Sequence, residues 1–297
     1  MIKKIRRQFY YYGAWLFSKI FLLIPYKWSV GFISKFFGSI APIFTRDASQ
    51  IAENNLRESF PEKSDIEIKR IVKEVFINQA KNFFELVNFP KINSELLKKI
   101  SSIDNVNLIF EGIKKKKGIL FVSAHSGNWE ITAAAVAALG VKVNVVAKKI
   151  YIDGLNDMLV NYREKKNVAV ILRESRDSAR KLLRALKNGE IIAMLIDQDT
   201  NVPGVFVDFF GKKAWTPSGL AVMALKTGAE VLMGIDCRVD DFRHKTVVKG
   251  PIKVEPSGDF DTDVLNLTQK ATYLLQEHIS KYPEQWVWFH KRWNTKD

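Results

Sequence analysis

The sequence predicts an α/β protein: a mostly parallel central sheet flanked by helices, with an N-terminal hydrophobic helical membrane-attachment region. The first observation is an alternation of short apolar segments with longer helix-like segments from about residue 103 onward, which is the rhythm of strand–helix–strand units. The second is that glycines follow helix-like segments, at Gly140, Gly189 and Gly228, because a helix C-terminus favours glycine. The third is the composition of the first 44 residues, which are basic and strongly apolar.

The segment lengths and apolar patterns place the individual elements. Strands are expected near residues 118–124, 141–147, 168–172, 190–196 and 231–237. Helices are expected near residues 128–139, 153–166, 176–188 and 217–227. A stretch at 243–254 is expected to add edge strands, and a last helix near 262–281 precedes an aromatic tail.

The part between the hydrophobic N-terminus and the sheet is expected to be helical. Residues 45–60 look helical, and Ser64 with Glu67 forms a capping box that opens a long helix toward Val87. We therefore expect membrane-attachment helices over 1–44 and one α/β domain over 45–297. Within that domain, residues 45–100 form a helical cap and residues 101–297 the catalytic core.

The N-terminal segment combines positive charge with apolar side chains. Eight lysine and arginine residues precede Asp47, which is the first acidic residue. Residues 9–24 are too few for a comfortable membrane crossing, which takes roughly 20 residues, and Lys19 interrupts them. Residues 27–40 fit an amphipathic helix in the bilayer interface. This pattern favours a monotopic or hairpin-like anchor, whereas the alternative is a hydrophobic hairpin packed on the protein's own core.

The overall charge and the cysteine and histidine content limit the classes of function. The chain has 297 residues and a formal net charge of +14, which implies an anionic partner such as nucleic acid, anionic lipid or an acidic protein. A single cysteine excludes an intramolecular disulfide, and the four histidines have no zinc-like spacing, so no metal site is expected. His244 and His278 are expected at the surface.

The stretch "GILFVSAHSGNWE" places a histidine at the end of a strand and a glutamate in the first turn of the next helix. Asn128 is expected to cap that helix. On one helix His125 and Glu130 would point about 140° apart, but a strand–turn–helix junction can bring them together. The pair then resembles a general base and the group that orients it, and amides of the helix start are expected to stabilise an oxyanion. The alternative is a strand-end histidine satisfied by a capping carboxylate.

The nucleophile that such a base would activate is expected on the substrate. The sequence contains no G-x-S-x-G motif, so the usual serine hydrolase arrangement is not indicated. An alcohol or water remains as the nucleophile.

The motif H-S-G-N-W-E resembles the H-x-x-x-x-(D/E) motif of the lipid A late acyltransferases. Further segments resemble this family in consistent order: "NNLRESFPEKS", "LKNGEIIAMLIDQD", "VFVDFFGKKAWTPSGL" and "PEQWVWFHKRWN". The resemblance implies an acyl carrier protein thioester as donor, a lipid A precursor as glycolipid acceptor, and no cofactor. It also implies that the protein acts at the cytoplasmic face of a bacterial inner membrane and that an apolar acyl tunnel opens near His125.

The resemblance also assigns roles to residues. His125 is the general base, and Glu130 orients it and offsets its charge. Arg163 corresponds to the family's downstream arginine and is expected to bind an acceptor phosphate. Asn128, Asp197 and Asp199 complete the expected substrate-binding set, with the two aspartates positioning His125 or the acceptor.

Other functions remain open from the sequence. A related actinobacterial branch acylates mannolipids from acyl-CoA, and a water acceptor would make the protein a thioesterase. A non-enzymatic basic protein that binds membranes or nucleic acid is a further alternative, although no nucleic-acid-binding motif is present and nucleic acid is not expected as a partner. The lysine run 114–117 and Lys212 with Lys213 are candidates for docking an acidic carrier protein, or else solvated surface.

Overall fold

A seven-stranded sheet forms the centre of the computed structural model, which describes the backbone of residues 2–296 and the side chains of residues 6–296. The strands lie in the order β1-β9-β8-β2-β5-β3-β4, and β6 with β7 forms a separate antiparallel hairpin. β8 and β9 pair antiparallel, whereas the other neighbours in the sheet run parallel. The strands are β1 Ser101–Asp104, β2 Ile119–Ser123, β3 Val143–Ala147, β4 Val168–Leu172, β5 Ile191–Leu195, β6 Gly204–Phe209, β7 Lys212–Pro217, β8 Glu230–Arg238 and β9 His244–Lys249.

Helices precede the sheet and connect its parallel strands. The helices are α1 Ile2–Leu23, α2 Ser34–Phe44, α3 Arg46–Ser59, α4 Asp65–Val87, α5 Ser94–Ile100, α6 Val106–Lys114, α7 Trp129–Ala137, α8 Asp153–Glu164, α9 Ser178–Lys187, α10 Gly219–Thr227 and α11 Phe260–Lys281. A π-helical segment, Trp28–Ile33, leads into α2, and short 3₁₀ turns lie at Phe89–Lys91 and Pro283–Gln285. The capping box of Ser64 and Glu67 is present at the start of α4.

The expected mostly parallel α/β architecture is confirmed, and the five predicted strands and four predicted helices of the core lie within a few residues of their expected bounds. The expectation for 243–254 is wrong in one respect, because β9 lies inside the sheet between β8 and β1. The short strand β1 and the hairpin β6–β7 were not predicted. The pairing partner of β1 is β9, which is distant in sequence. The side chains of β6 and β7 lack a clear period-2 pattern.

Apolar side chains cover both faces of the sheet. Along β2, Leu120 and Val122 join a large core cluster with residues of α3, α4, α10 and α11. Ile119 and Phe121 point to the other face and join a second cluster with α7. This alternation is the period-2 geometry of a strand buried on both faces.

The N-terminal helices pack on the protein through small residues. The Cβ that an alanine would add at Gly38 of α2 would lie 2.4 Å from the Ile77 Cα of α4, so the two helices touch closely. Trp28, Phe32 and Phe44 point away from this contact and are 67%, 72% and 80% exposed. Within residues 2–296, no helix has both the length and the hydropathy needed to span a bilayer.

Candidate active site

His125 lies two residues beyond the end of β2, and its carboxylate partner is Asp197, two residues beyond the end of β5. The two strands are parallel neighbours with Ser123 opposite Leu195, so the same register brings residues 125 and 197 side by side. The Nδ1 atom of His125 lies 2.9 Å from Oδ1 of Asp197, and the backbone N–H of His125 donates to Oδ2 at 2.8 Å. The site therefore forms at the carboxyl edge of the sheet, where ligands bind in open α/β folds.

The Asp197 side chain is fully buried, but it is well satisfied by hydrogen bonds. The indole N–H of Trp286 donates to Oδ2 at 2.7 Å. Burial alone would raise the pKa of Asp197, but the His125 ring and the hydrogen bonds from His125 and Trp286 hold the pKa of this carboxyl below its usual range. Asp197 is thus ionised and accepts the Nδ1 proton, which leaves Nε2 of His125 unprotonated in the neutral ring.

The Nε2 side of His125 faces a cavity. The His125 side chain is 23% exposed and lines this cavity together with Trp129, whose ring lies edge-on at 4.9 Å between centroids. Among the described residues no protein group hydrogen-bonds Nε2. The free nitrogen is therefore open to a ligand, as a general base requires.

Glu130 does not supply the carboxylate on His125, contrary to the expectation that it orients the ring. The first turn of α7 directs Glu130 toward the last turn of α8, where Arg163 binds it bidentately. Nε donates to Oε2 at 2.8 Å and Nη2 donates to Oε1 at 2.5 Å. Both side chains are largely buried and line the same cavity as His125. Asp197 reaches the ring instead because β5, not α7, lies in register with the end of β2.

Asn128 supports the turn rather than lining the cavity, which corrects its expected place among the substrate-binding residues. Its Oδ1 accepts hydrogen bonds from the amides of Glu130 and Ile131, so the predicted N-cap is confirmed. Its Nδ2 donates to Oε2 of Glu85 at 2.7 Å. The side chain is buried, and both of its polar atoms are used within the protein.

Asp199 lies away from His125 and anchors the C-terminal tail. Its two carboxylate oxygens accept hydrogen bonds from the backbone N–H and the hydroxyl of Thr295, at 2.7 and 2.9 Å. Asp199 was expected to position His125 or an acceptor, but its carboxylate instead binds Thr295 of the tail. Asp197 is the member of the pair that meets the histidine.

Four amides of the turn and the helix start are already used, which leaves few donors for the expected backbone oxyanion site. Asp236 accepts from the amide of Asn128 at 2.7 Å, and the carbonyl of Gln285 accepts from the amide of Gly127 at 3.1 Å. The amides of Glu130 and Ile131 bond the cap, as described above.

A buried charge network underlies the turn, and sequence reasoning did not find it. Arg238 binds both oxygens of Glu85, at 2.8 and 2.7 Å. His244 lies 2.8 Å from Oδ2 of Asp236 and 3.0 Å from Oε1 of Glu85. The expectation that His244 and His278 are surface residues is wrong, because both are buried.

The network is held together by its charges. Burial would lower the pKa of His244, but Asp236 and Glu85 raise it to about 9. Burial opposes ionisation of Glu85, yet Arg238 and His244 hold the pKa of that carboxyl well below its usual range. The signal in the sequence was Asp236 and Arg238 at alternate positions in an otherwise apolar strand, since buried charges need partners.

The cavity extends from His125 into the apolar space between α7 and the sheet. Val136 of α7 and Phe121, Val143 and Ile191 of the strands line its inner part. Val143 and Ile191 are the first residues of β3 and β5, so the cavity reaches the full length of these five-residue strands, about 16 Å at roughly 3.3 Å per residue. Three basic side chains line the cavity at the carboxyl edge of the sheet, namely Lys148, Arg163 and Arg173.

The other basic segments noted in the sequence lie elsewhere. The lysine run 114–117 precedes β2 and therefore lies at the amino edge of the sheet, opposite His125, where Lys115 pairs with Glu230. Lys212 contacts Glu58 and lies over the ring of Trp293, and Lys213 lies 3.4 Å from Asp208.

The fold is a mostly parallel α/β sheet with an apolar cavity beside a histidine–carboxylate pair. The sequence model of the bacterial lipid A biosynthesis acyltransferase family matches residues 2–295. The chain belongs to this family, and the protein is an acyltransferase.

Relatives that are named for different acceptors share part of this sequence. A phosphatidylinositol mannoside acyltransferase of Mycolicibacterium smegmatis is 23% identical over 226 residues, which cover 75% of this chain and 72% of the relative. The lipid A biosynthesis palmitoleoyltransferase of Escherichia coli K12 is 23% identical over 284 residues, 93% of this chain and 88% of the relative. The lauroyltransferase of the same organism is 23% identical over 262 residues, 87% and 83%.

Proposed function

We propose that this enzyme transfers a fatty acyl chain from an acyl carrier protein thioester to a hydroxyl of a lipid A precursor. The observation that carries the proposal is the His125–Asp197 pair, whose free Nε2 opens into a long apolar cavity. A cavity of that depth and lining suits an extended hydrocarbon chain, and the imidazole at its end suits proton transfer at the chain's carbonyl.

The reaction needs one base and no nucleophile from the protein. Nε2 of His125 removes the proton of the acceptor hydroxyl as the oxygen attacks the thioester carbonyl, and Asp197 stabilises the imidazolium that forms. A C–O bond forms, the C–S bond breaks, and the imidazolium returns its proton to the leaving thiolate. The products are the ester and the free thiol, so no cofactor is consumed. A thioester is already activated, and positioning with one general base is therefore a sufficient strategy.

Arg163 is proposed to hold an anionic group of the acceptor or the developing oxyanion. Its Nε and Nη2 are used by Glu130, whereas no described protein group accepts a hydrogen bond from Nη1. Glu130 then acts by fixing the guanidinium in the cavity wall rather than by touching His125. An arginine held in this way suits a phosphate, because its planar donors match phosphate oxygens.

The N-terminal helices are proposed to attach the enzyme to the cytoplasmic face of the bacterial inner membrane without crossing it. The exposed aromatic side chains lie on the outer side of the helices, while the small residues face α4. Lys19 and Lys27 are exposed within the same segment. A basic, aromatic face of this kind suits the interface of an anionic bilayer.

The mannoside relative keeps a second acceptor class open. That relative is named as an acyltransferase of phosphatidylinositol mannoside, and its match covers three quarters of this chain. An acceptor with a phosphate and sugar hydroxyls would meet the same His125 and Arg163. The test therefore includes both acceptors and both donors.

The experiment incubates the purified protein with radiolabelled lauroyl acyl carrier protein or lauroyl-CoA and with a lipid A precursor or a phosphatidylinositol mannoside. Transfer of label to the lipid A precursor from the carrier protein, and its loss in His125→Ala, is the expected result. The proposal is contradicted if the folded wild type labels no glycolipid, or if His125→Ala keeps full activity. Release of free laurate alone would identify a thioesterase, and transfer only to the mannoside would reassign the acceptor.

A further inference from the structure

An unpaired basic face on α9 lies beside the cavity. Ala179, Arg180, Leu183, Arg184 and Lys187 lie along one face of α9, and Arg176 lies in the turn that leads into the helix. We call these six residues the α9 face. All six are exposed, whereas Leu182, Ala185 and Leu186 on the opposite side pack on the core.

The charges of the α9 face are not neutralised by the protein. The neighbouring acids are already engaged, because Asp177 pairs with Lys181 and Glu174 pairs with Arg173. Among residues 6–296, no acidic side chain lies within ion-pair distance of the four cations on the face. Like charges at i and i+4 destabilise a helix by about 0.2–0.5 kcal/mol per pair. The pair Arg180 and Arg184 therefore does not stabilise α9.

The topology puts this face next to the catalytic edge. α9 follows β4, whose carboxyl end lies at the same edge of the sheet as His125 because β2, β5, β3 and β4 are parallel. Arg173, between β4 and α9, donates its backbone N–H to the carbonyl of Ala147 and lines the cavity beside Lys148. A basic surface therefore continues from the cavity opening onto α9.

We infer that the α9 face is the docking surface for the acidic carrier protein that delivers the acyl chain. This inference rests on the proposed thioester donor and adds the place where that donor binds. An acidic protein helix laid along α9 brings its acyl arm to the opening at Lys148 and Arg173, where the phosphate of the arm meets two cations. The alternative occupant, an anionic bilayer, is less suited, because Leu183 is the single large apolar side chain in the face, at 52% exposure, whereas the N-terminal helices expose many aromatic rings.

The test compares steady-state kinetics with two donors that share the acyl chain. One donor is lauroyl acyl carrier protein, and the other is lauroyl-pantetheine, which has neither the acidic protein nor the phosphate. In Arg180→Glu/Arg184→Glu we expect KM for the carrier protein to rise about tenfold or more, since charge complementarity governs encounter. The kcat and the KM for lauroyl-pantetheine stay at their wild-type values.

Two control variants separate docking from general charge and from folding. Lys69→Glu/Lys73→Glu makes the same charge change at exposed i, i+4 positions of α4 and should leave both KM values unchanged. Arg180→Lys/Arg184→Lys keeps the charge and should retain a KM within about twofold of wild type. An unchanged carrier-protein KM in the charge-reversal variant would overturn the inference, as would an equal rise for both donors.

Failure of the proposed function and failure of the docking surface give different results. If the wild type transfers label from neither donor, the proposed function fails. Binding of fluorescently labelled acyl carrier protein to Arg180→Glu/Arg184→Glu and to the Lys69→Glu/Lys73→Glu control still tests the α9 face. Retained carrier binding by Arg180→Glu/Arg184→Glu would then reject it. Loss of binding to phosphatidylglycerol-containing vesicles, with carrier binding unchanged, would assign the α9 face to the membrane instead.

Discussion

At the residue scale, the central feature is that the histidine takes its carboxylate from the neighbouring strand. Asp197 is buried, ionised and fixed by three hydrogen bonds from His125 and Trp286. Such a partner selects the tautomer with the proton on Nδ1 and stabilises the imidazolium after proton transfer. Glu130, the residue that the motif spacing favoured, instead fixes Arg163.

Replacing Asp197 by asparagine should therefore reduce turnover without unfolding the protein. The carboxamide offers an N–H where the ring needs an acceptor, and we expect kcat to fall by about 10²–10⁴-fold. The measurement is kcat at saturating donor and acceptor, with thermal unfolding as the folding check. Asp199→Asn is the matched control, because Asp199 contacts only the tail, and it should keep kcat within about threefold. Equal losses in the two variants would contradict the assignment.

At the element scale, the strand–turn–helix junction depends on a glycine whose position leaves no room for a Cβ without displacing Asp236. Gly127 has φ +58°, and a Cβ there would lie 2.4 Å from Oδ2 of Asp236. Asp236 in turn bonds the amide of Asn128, so the turn is held against β8 on one side and β5 on the other. The same junction carries His125 and Glu130 into the cavity wall.

Gly127→Ala should reduce both the stability of the protein and its kcat. We expect a loss of unfolding free energy of about 2 kcal/mol or more, from strain plus the displaced Asp236 contact, together with a large loss of kcat. Gly140→Ala is the control, because Gly140 also has positive φ but no atom lies within 4 Å of its added Cβ. That variant should lose only about 1 kcal/mol and keep its activity. Denaturant unfolding and kcat measured on both variants check the comparison, and equal effects would refute it.

The N-terminal helices give a prediction of their own. Trp28→Ser/Phe32→Ser should weaken binding to anionic vesicles by about tenfold or more, since each exposed aromatic side chain contributes roughly 1.5–3 kcal/mol when buried in an apolar phase. Leu265→Ser/Tyr273→Ser removes exposed apolar groups from α11 and should leave vesicle binding unchanged. Co-sedimentation with phosphatidylglycerol vesicles is the measurement. If the Trp28→Ser/Phe32→Ser variant binds vesicles as well as the wild type does, these side chains are not part of the attachment surface.

At the scale of the whole molecule, the buried network joins α4, β8, β9 and the turn between β2 and α7. Glu85 lies more than a hundred residues before Asp236, Arg238 and His244 in the chain, and the four charges balance when His244 is protonated. A buried group that lost its partner here would cost several kcal/mol. The network therefore couples the integrity of the fold to the position of the turn.

The raised pKa of His244 gives the protein a pH-dependent stability. The folded pKa is about 9 and the ordinary value is 6.5, so this contribution is complete below pH 6.5 and is lost as pH rises through 9. We expect the unfolding free energy to fall by on the order of 3 kcal/mol over that window, measured by urea unfolding at several pH values. His244→Gln should flatten this slope. His278→Gln should preserve it, because burial lowers the pKa of His278 to about 4 and the residue is neutral throughout the window.

The local elements and part of the site were predictable because their causes are local. Apolar runs, glycine punctuation and a capping box determine where strands and helices begin and end, and His125, Asn128 and Glu130 follow from the strand–turn–helix pattern. Even so, the roles of Asn128, Glu130 and Asp199 needed correction. Each correction came from a partner that is distant in sequence, namely Glu85, Arg163 and Thr295.

The sequence by itself determined the α/β class, the order of its elements, the basic apolar N-terminus and the place of His125 at a strand end. Only the tertiary structure decided which carboxylate meets that histidine, because strand order and register bring β5 beside β2 although 72 residues separate Asp197 from His125. It also decided that the small residues of α2 face inward and the aromatic ones outward, since close helix contact requires the smallest side chains. Periodicity specifies a face, but the neighbour that a face meets depends on the packing of the whole chain.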